Sequence, residues 1–226
     1  MRSPRDGNLV LGGYDSASIT GSWHDYPMNY SDTLAGRHCP LQVHIQGLQL
    51  LLEGQKSVQL LGDGDGHLAC IEPYDNLFRL SELGLAGFTD VTGWSPNINY
   101  APNDLFLPEP GLMYPSTASF NGSLKFVFDD GFTVIIPNSE LQRPLRGLDK
   151  QGSVALHPNI TEVNVYNDSF AAWVLERVFL SQVYLAVDYD AQVIKLADVR
   201  QNPVTPSPVR FSSANEAKPA TRDPYE

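Results

Sequence analysis

Residues 121–136, NGSLKFVFDDGFTVII, leave the chain little choice of local structure. Leu124, Phe126 and Phe128 recur at every second position, Asp130-Gly131 supplies a tight turn, and Phe132, Val134 and Ile136 repeat the pattern on the way back. A period of two puts all six apolar side chains on one face of an antiparallel hairpin, and no helix can do that. Residues 40–52, PLQVHIQGLQLLL, carry the same signal on either side of Gly47: Leu41, Val43 and Ile45 before it, Leu48, Leu50 and Leu52 after it. Further strands are expected over 7–15 (Leu9, Val10 and Leu11, ending in a turn at Gly12-Gly13), at 56–61 and 67–72, over 153–166, at Trp173 to Leu175, and in a pair joined at Asp190-Ala191. GDGDG at 62–66 reads as the turn between two of them. Its Asp63 and Asp65 lack the downstream bidentate Glu of an EF-hand, so calcium is not expected there.

One short helix is expected over 80–89, LSELGLAGFT, with Ser81 as its N-cap, and a helical turn after Leu175. Residues 16–38 read as loop, and residues 92–119 as a Pro-, Asn- and Tyr-rich surface excursion. From Gln201 onward the chain is Pro- and Ser-rich and poor in apolar residues, which predicts a disordered tail over 201–226. The expected fold class is all-β with one or two short helices, in one domain over 1–200. The 18 Gly, 17 Pro, 10 Tyr and 10 Phe support short strands and many turns.

A net charge of −11 with no basic cluster excludes nucleic acid as a partner. No apolar run reaches the roughly 18 residues of a transmembrane helix, so no membrane span is expected. The first residues, MRSPRDGNLVLGG, hold no apolar segment of signal-peptide length. Yet Asn29, Asn121, Asn159 and Asn167 each head an N-x-S/T sequon, a hint of secretion. Cys39 and Cys70 read equally as a free buried pair or as a disulfide, the latter requiring an oxidising compartment.

The stretch HLACIEPYD, residues 67–75, drives an apolar strand into an acid, Glu72, and then a proline. Taken with GNLVLGGYD, SLKFVFDDGFTVIIPNSEL and RVFLSQVYLAVDYDAQVIKLADV, it resembles the C-terminal half of a pepsin-like aspartic peptidase of fungal type, over about residues 7–200. The resemblance implies one of two β lobes that face each other across a peptide-binding cleft. Each lobe of such an enzyme carries one Asp in an apolar-apolar-Asp-Thr/Ser-Gly loop. The two acids share a proton, because like charges a few ångströms apart do not both ionise, and together they activate water. No cofactor or metal is implied. Secretion or a cell-surface location is.

Matched onto this chain, the catalytic Asp becomes Glu72, the Thr/Ser becomes Pro73 and the Gly becomes Tyr74. Glu is a methylene longer, and a misplacement of about an ångström can cost around a hundredfold in rate. Pro73 offers neither hydroxyl nor N–H to brace the acid. The supporting apolar-apolar-Gly loop reads Val174-Leu175-Glu176. The first lobe, with the other Asp and the flap, falls outside the region of resemblance. The implied function is therefore an aspartic-endopeptidase-family domain, incompetent alone, that binds peptide or protein around Glu72, Tyr74 and Glu176. Alternatives are an active acid protease completed by an N-terminal lobe or partner chain, and a secreted or cell-wall structural glycoprotein; a separate reading of the site itself makes Glu72 and Glu176 a new acid pair. Asp188 and Asp190 read as hairpin residues.

Overall fold

The computed structural model describes residues 10–30, 33–34, 37–54, 57–61, 66–73, 78–80, 82–95, 105–107, 111–167, 173–202 and 205–211. Ser81, Tyr74 and residues 62–65, where a turn is expected, lie outside them. The chain divides into two compact units, residues 29–182 and residues 1–28 with 183–226.

The larger unit is built on one eight-stranded sheet. Its strand order is Thr133–Ile136, Gly122–Phe128, Gln42–Leu52, His67–Ile71, Trp173–Leu175, Phe78–Leu80 and Val165–Asn167, with Val58–Gln59 alongside Gln42–Leu52. The expected hairpin forms as read, Leu124 facing Ile136 and Phe126 facing Val134. Within residues 40–52, Gln42–Leu52 form one strand. Their pattern changes phase at Gly47 because the pairing slips there: Val127 faces Gly47 but Phe128 faces Ile45. An extra residue at a bulge moves the next side chain to the other face, so Ile45, Leu48 and Leu50 are all fully buried. Phe78, Phe126, Phe128 and Phe179 stack into a chain of aromatic contacts 5.4–6.0 Å between ring centres. All four are fully buried.

The expected helix runs over Glu82–Thr92 and buries Phe88 edge-on against Phe120. It ends where Gly93 takes a positive φ and Trp94 N–H donates to Thr89 O, the closing bond of a Schellman cap. Two single-turn helices, Asn138–Leu141 and Arg177–Leu180, bring the described α-helices to three, one more than expected. A second sheet joins Gln142–Leu148, Val154–Val163 and Leu112–Pro115. The last of these lies inside the supposed surface excursion. Leu112 and Tyr114 are buried there, and a Leu-Met-Tyr segment of this length carries too little alternation to be recognised in isolation. Within this sheet Glu162, almost fully buried, takes Arg143 Nε at 2.7 Å and Gly111 N–H at 2.9 Å.

The smaller unit pairs Val183–Asp188 with Val193–Val199 and that strand with Ile19–Pro27. The hairpin turns at residues 189–192, where Ala191 N–H donates to Asp188 Oδ1, as the structural reading of Asp188 required. Ile19–Pro27 corrects the expectation of a loop at 16–38. Its residues are mostly exposed or half-exposed, so the strand lacks an apolar stripe. The tail expectation is also corrected in part: Pro208–Arg210 is a strand, paired with Gly13–Asp15. Its three residues are all exposed, so no apolar signal announces it. It is held by backbone instead, with Ser207 N–H donating to Asp15 Oδ1 at 2.6 Å. Among the described residues strand structure begins at Gly13, after Val10 and Leu11; Leu11 is exposed and Gly12 turns with φ 75°, while Leu9 lies outside the described residues. Gly13 itself is required by close approach, since a Cβ there would lie 2.1 Å from Val209 O.

Candidate functional site

Glu72 and Glu176 are brought together by strand pairing. His67–Ile71 and Trp173–Leu175 run parallel in the register Ala69 to Trp173, Cys70 to Val174 and Ile71 to Leu175. Glu72 N–H extends the ladder by donating to Leu175 O at 3.0 Å. The two acids therefore follow the C-terminal ends of neighbouring strands, about one strand spacing, roughly 4.8 Å, apart in backbone. Alternation assigns the faces. Ala69, Ile71, Trp173 and Leu175 go to one side, Cys70 and Val174 to the other. Arg79 faces Val174 across an antiparallel pairing, and Tyr166 faces Arg79 on the next strand, so both join the Cys70 side.

That shared face decides what Glu176 does. Its side chain is 2% exposed and its Oε1 accepts from Arg79 Nε at 3.0 Å. The Arg79 guanidinium also lies over the Tyr166 ring, 5.5 Å from its centre. Glu176 is the N-cap residue of Arg177–Leu180, but its side chain does not cap the helix. Glu176, expected as a binding residue, is buried and ion-paired with a guanidinium. A proton-sharing acid pair needs two carboxylates that repel each other, and an Arg-bound carboxylate does not supply the second. Arg79 is the residue that sequence reasoning missed. The available signal was its position between Phe78 and Leu80, both buried on the opposite face.

Glu72 is half-buried at the strand end. Cys70, two residues earlier on the same face, forms a disulfide with Cys39. Glu72 Oε1 lies 3.2 Å from Cys70 Sγ. A disulfide sulfur has no proton, so this is a contact and not a hydrogen bond. Pro73, exposed, follows Glu72 and has no N–H to give. Tyr74, the other expected binding residue, lies outside the described residues. On the opposite face Trp173 is 1% exposed, stacks on His67 at 5.0 Å, and has no hydrogen-bond partner for its Nε1 among the described residues.

Among the described residues, one group of metal-type donors converges: Cys39, Cys70 and Glu72, with ligand atoms within 4.8 Å of one another. A surface hollow of about 460 Å³ lies elsewhere, lined by Leu52, Glu53, Val91, Thr92, Phe120 and Asn121, and holds none of the strand-end acids. Asn121, a sequon asparagine, is exposed and donates to Glu53. Asn159 is exposed as well, Asn29 is half-buried, and the Asn167 side chain lies outside the described residues.

No family model and no curated protein matches the sequence. Among solved structures the aspartic proteinase from Irpex lacteus is similar, with a TM-score of 0.57 over 84% of this chain at 18% identity. The fold is pepsin-like. The match covers 50% of that proteinase, so this chain spans half its length. Within that fold His67–Ile71 runs parallel to Trp173–Leu175. The likeness concerns architecture; the chemistry must come from Glu72, Glu176 and Arg79 themselves. No helix among the described residues is long and apolar enough to cross a membrane.

Proposed function

We propose that this chain is a pepsin-like lobe that binds an extended peptide or protein segment across the face around Glu72 and Tyr74 and does not cleave it. The observation that carries the reading is the Arg79–Glu176 ion pair beside the strand end where a peptidase needs an unencumbered carboxylate environment. Glu72 is too long for the site and is followed by Pro73, which cannot brace it. Its half-buried carboxylate still presents an acceptor to a peptide N–H, worth about 1.5–3 kcal/mol when charged. The Cys39–Cys70 disulfide supports residence in an oxidising compartment, as for a secreted protein.

The test combines proteolysis and binding. The chain is incubated with denatured protein substrates between about pH 3 and 5, the range in which paired carboxylates hold one proton, with and without a pepstatin-type inhibitor. No cleavage is expected. A peptide library read by fluorescence anisotropy should yield binders that Glu72→Ala weakens by about tenfold or more. Cleavage by the wild type that disappears in Glu72→Ala would overturn the reading.

Coverage of half the Irpex lacteus enzyme supports a second reading. A separate lobe or chain completes the cleft and supplies the other acid, with Glu72 as the remaining one. Acid proteolysis that emerges only on mixing this chain with such a lobe, and is lost with Glu72→Ala, distinguishes it.

A further inference from the structure

We infer that Cys39, Cys70 and Glu72 form a site for a thiolate-preferring divalent cation, zinc above all, whenever the two cysteines are reduced. The inference is independent of peptide binding. It starts from the backbone. Ile71 N–H donates to Leu41 O at 2.9 Å, and Gln42 pairs with Cys70 in the sheet. The segment carrying Cys39 is therefore held beside Cys70 by hydrogen bonds that do not depend on the sulfur–sulfur bond. Cys70 and Glu72 share one face of a strand whose end is fixed by the Glu72 N–H bond to Leu175 O. The backbone that carries the three donors has these hydrogen bonds of its own, so opening the disulfide frees the sulfurs to part without releasing their strands.

The sulfur–carboxylate spacing suits the ion, and the two sulfurs, bonded to each other in the oxidised chain, must part to about 3.8 Å once reduced. Tetrahedral zinc with Zn–S of about 2.3 Å and Zn–O of about 2.0 Å sets a sulfur and a carboxylate oxygen about 3.5 Å apart. Glu72 Oε1 and Cys70 Sγ are 3.2 Å apart, and the three donor atoms lie within 4.8 Å. Both cysteines are buried, at 4% and 3% exposure, while Glu72 is half-buried. The ion would enter from the carboxylate side and keep a fourth position open to water or an added ligand. Among the described residues no cation pairs with Glu72, and the Arg79 guanidinium on the same face is engaged by Glu176. Two thiolates and a carboxylate form a donor set that suits zinc and disfavours calcium or magnesium.

The chemistry balances in two steps. A thiol reductant opens the disulfide: two reductant thiols are oxidised to their own disulfide, and Cys39 and Cys70 each gain a proton. A chain folded where thiols stay reduced skips this step. Zinc then displaces one proton from each thiol and accepts lone pairs from two thiolates and Glu72, releasing two protons. Disulfide and metal are mutually exclusive uses of the same sulfurs.

The test uses the full chain. A phosphine reduces the disulfide, taking the oxygen of water to become phosphine oxide. After its removal the protein is titrated with Co²⁺ as an optical stand-in, then with Zn²⁺. The expected result is one Co²⁺ per chain with a thiolate-to-metal charge-transfer band, absent from the oxidised chain and bleached by Zn²⁺. Glu72→Ala, which keeps both sulfurs, should weaken binding at least tenfold, and Zn²⁺ should raise the Tm of the reduced chain, as a ligand of the folded state does. Absence of the band, equal affinity in Glu72→Ala, or a Tm lowered by Zn²⁺ would each overturn the inference. If reduction alone unfolds the chain, Zn²⁺ must restore the β-sheet circular dichroism; failure to do so refutes the site as well.

Discussion

Replacing Arg79 by Met tests whether the second strand-end acid is a buried charge held by its partner. The substitution keeps most of the aliphatic stem and removes the guanidinium that sits 3.0 Å from Glu176 Oε1. Glu176 is 2% exposed and Arg79 15% exposed, so the pair belongs with buried ion pairs and not with surface ones. Removing one partner of a buried pair costs about 3–5 kcal/mol, because the remaining carboxylate is left charged and undersolvated. Arg79 reaches solvent slightly, which places the cost near the lower end, about 3 kcal/mol. At roughly 2–4 °C per kcal/mol for a chain of this size, Tm should fall by about 6–12 °C. Removing both partners, in Arg79→Met with Glu176→Met, should recover most of that loss, since no orphaned charge remains. Urea unfolding of wild type, both single variants and the double variant gives the coupling energy from the cycle. An Arg79→Met cost under about 1 kcal/mol, or a double variant no better than Arg79→Met, would refute the ion pair as what fills the site, and with it the argument that Glu176 is unavailable for acid chemistry.

Other perturbations follow from the same geometry. The Cys39–Cys70 bridge closes a loop with a sequence separation of 31, for which the chain-entropy relation gives ~3.7 kcal/mol; the Cys39→Ala, Cys70→Ala double variant should lose most of it in urea unfolding, and an unchanged midpoint would count against the bridge as a tether. The Ser18 hydroxyl, with the Ser207 and Ala17 N–H groups, holds the Asp15 carboxyl below its ordinary value of 3.8. A lowered folded value means this stabilisation is present above about pH 3.8 and disappears as pH falls through the folded value, so Ser207 amide protection should collapse in acid and do so less steeply in Asp15→Asn. Burial pushes the Tyr114 phenol up to about 12, partly offset by its hydrogen bond to Thr92. The raised value means that stability is constant below about pH 10 and falls as pH rises through about 12; Tyr114→Phe should remove that alkaline loss, and an identical alkaline unfolding curve would rule it out. Gly13→Ala should detach Pro208–Arg210, because the new Cβ collides with Val209 O; the readout is new proteolytic cleavage near residue 208.

Much of the architecture was legible because strand alternation is a local property. The 121–136 hairpin, the His67–Ile71 strand, the helix after Leu80 and the Asp190 turn all lie in segments whose own residues carry the period or the turn chemistry. Ile19–Pro27 and Pro208–Arg210 were illegible for the complementary reason. Their exposed residues have no apolar stripe, and they are strands only because Val193–Val199 and Gly13–Asp15 offer backbone partners far along the chain. The phase change at Gly47 was visible in sequence, but its cause, a slipped register against Val127 and Phe128, exists only in the pairing.

The sequence by itself determined that this chain is β-rich, that it resembles half of a pepsin-like enzyme, and that an acid, Glu72, follows the His67–Ile71 strand. Tertiary structure alone decided the company that acid keeps. Parallel pairing of two segments about a hundred residues apart set Glu176 at the neighbouring strand end, and a third strand delivered Arg79 to neutralise it. Cys39 was likewise drawn to Cys70 and so to Glu72. A carboxylate's chemistry depends on the charge and solvent within a few ångströms of it, and no local pattern encodes which distant strand will supply them.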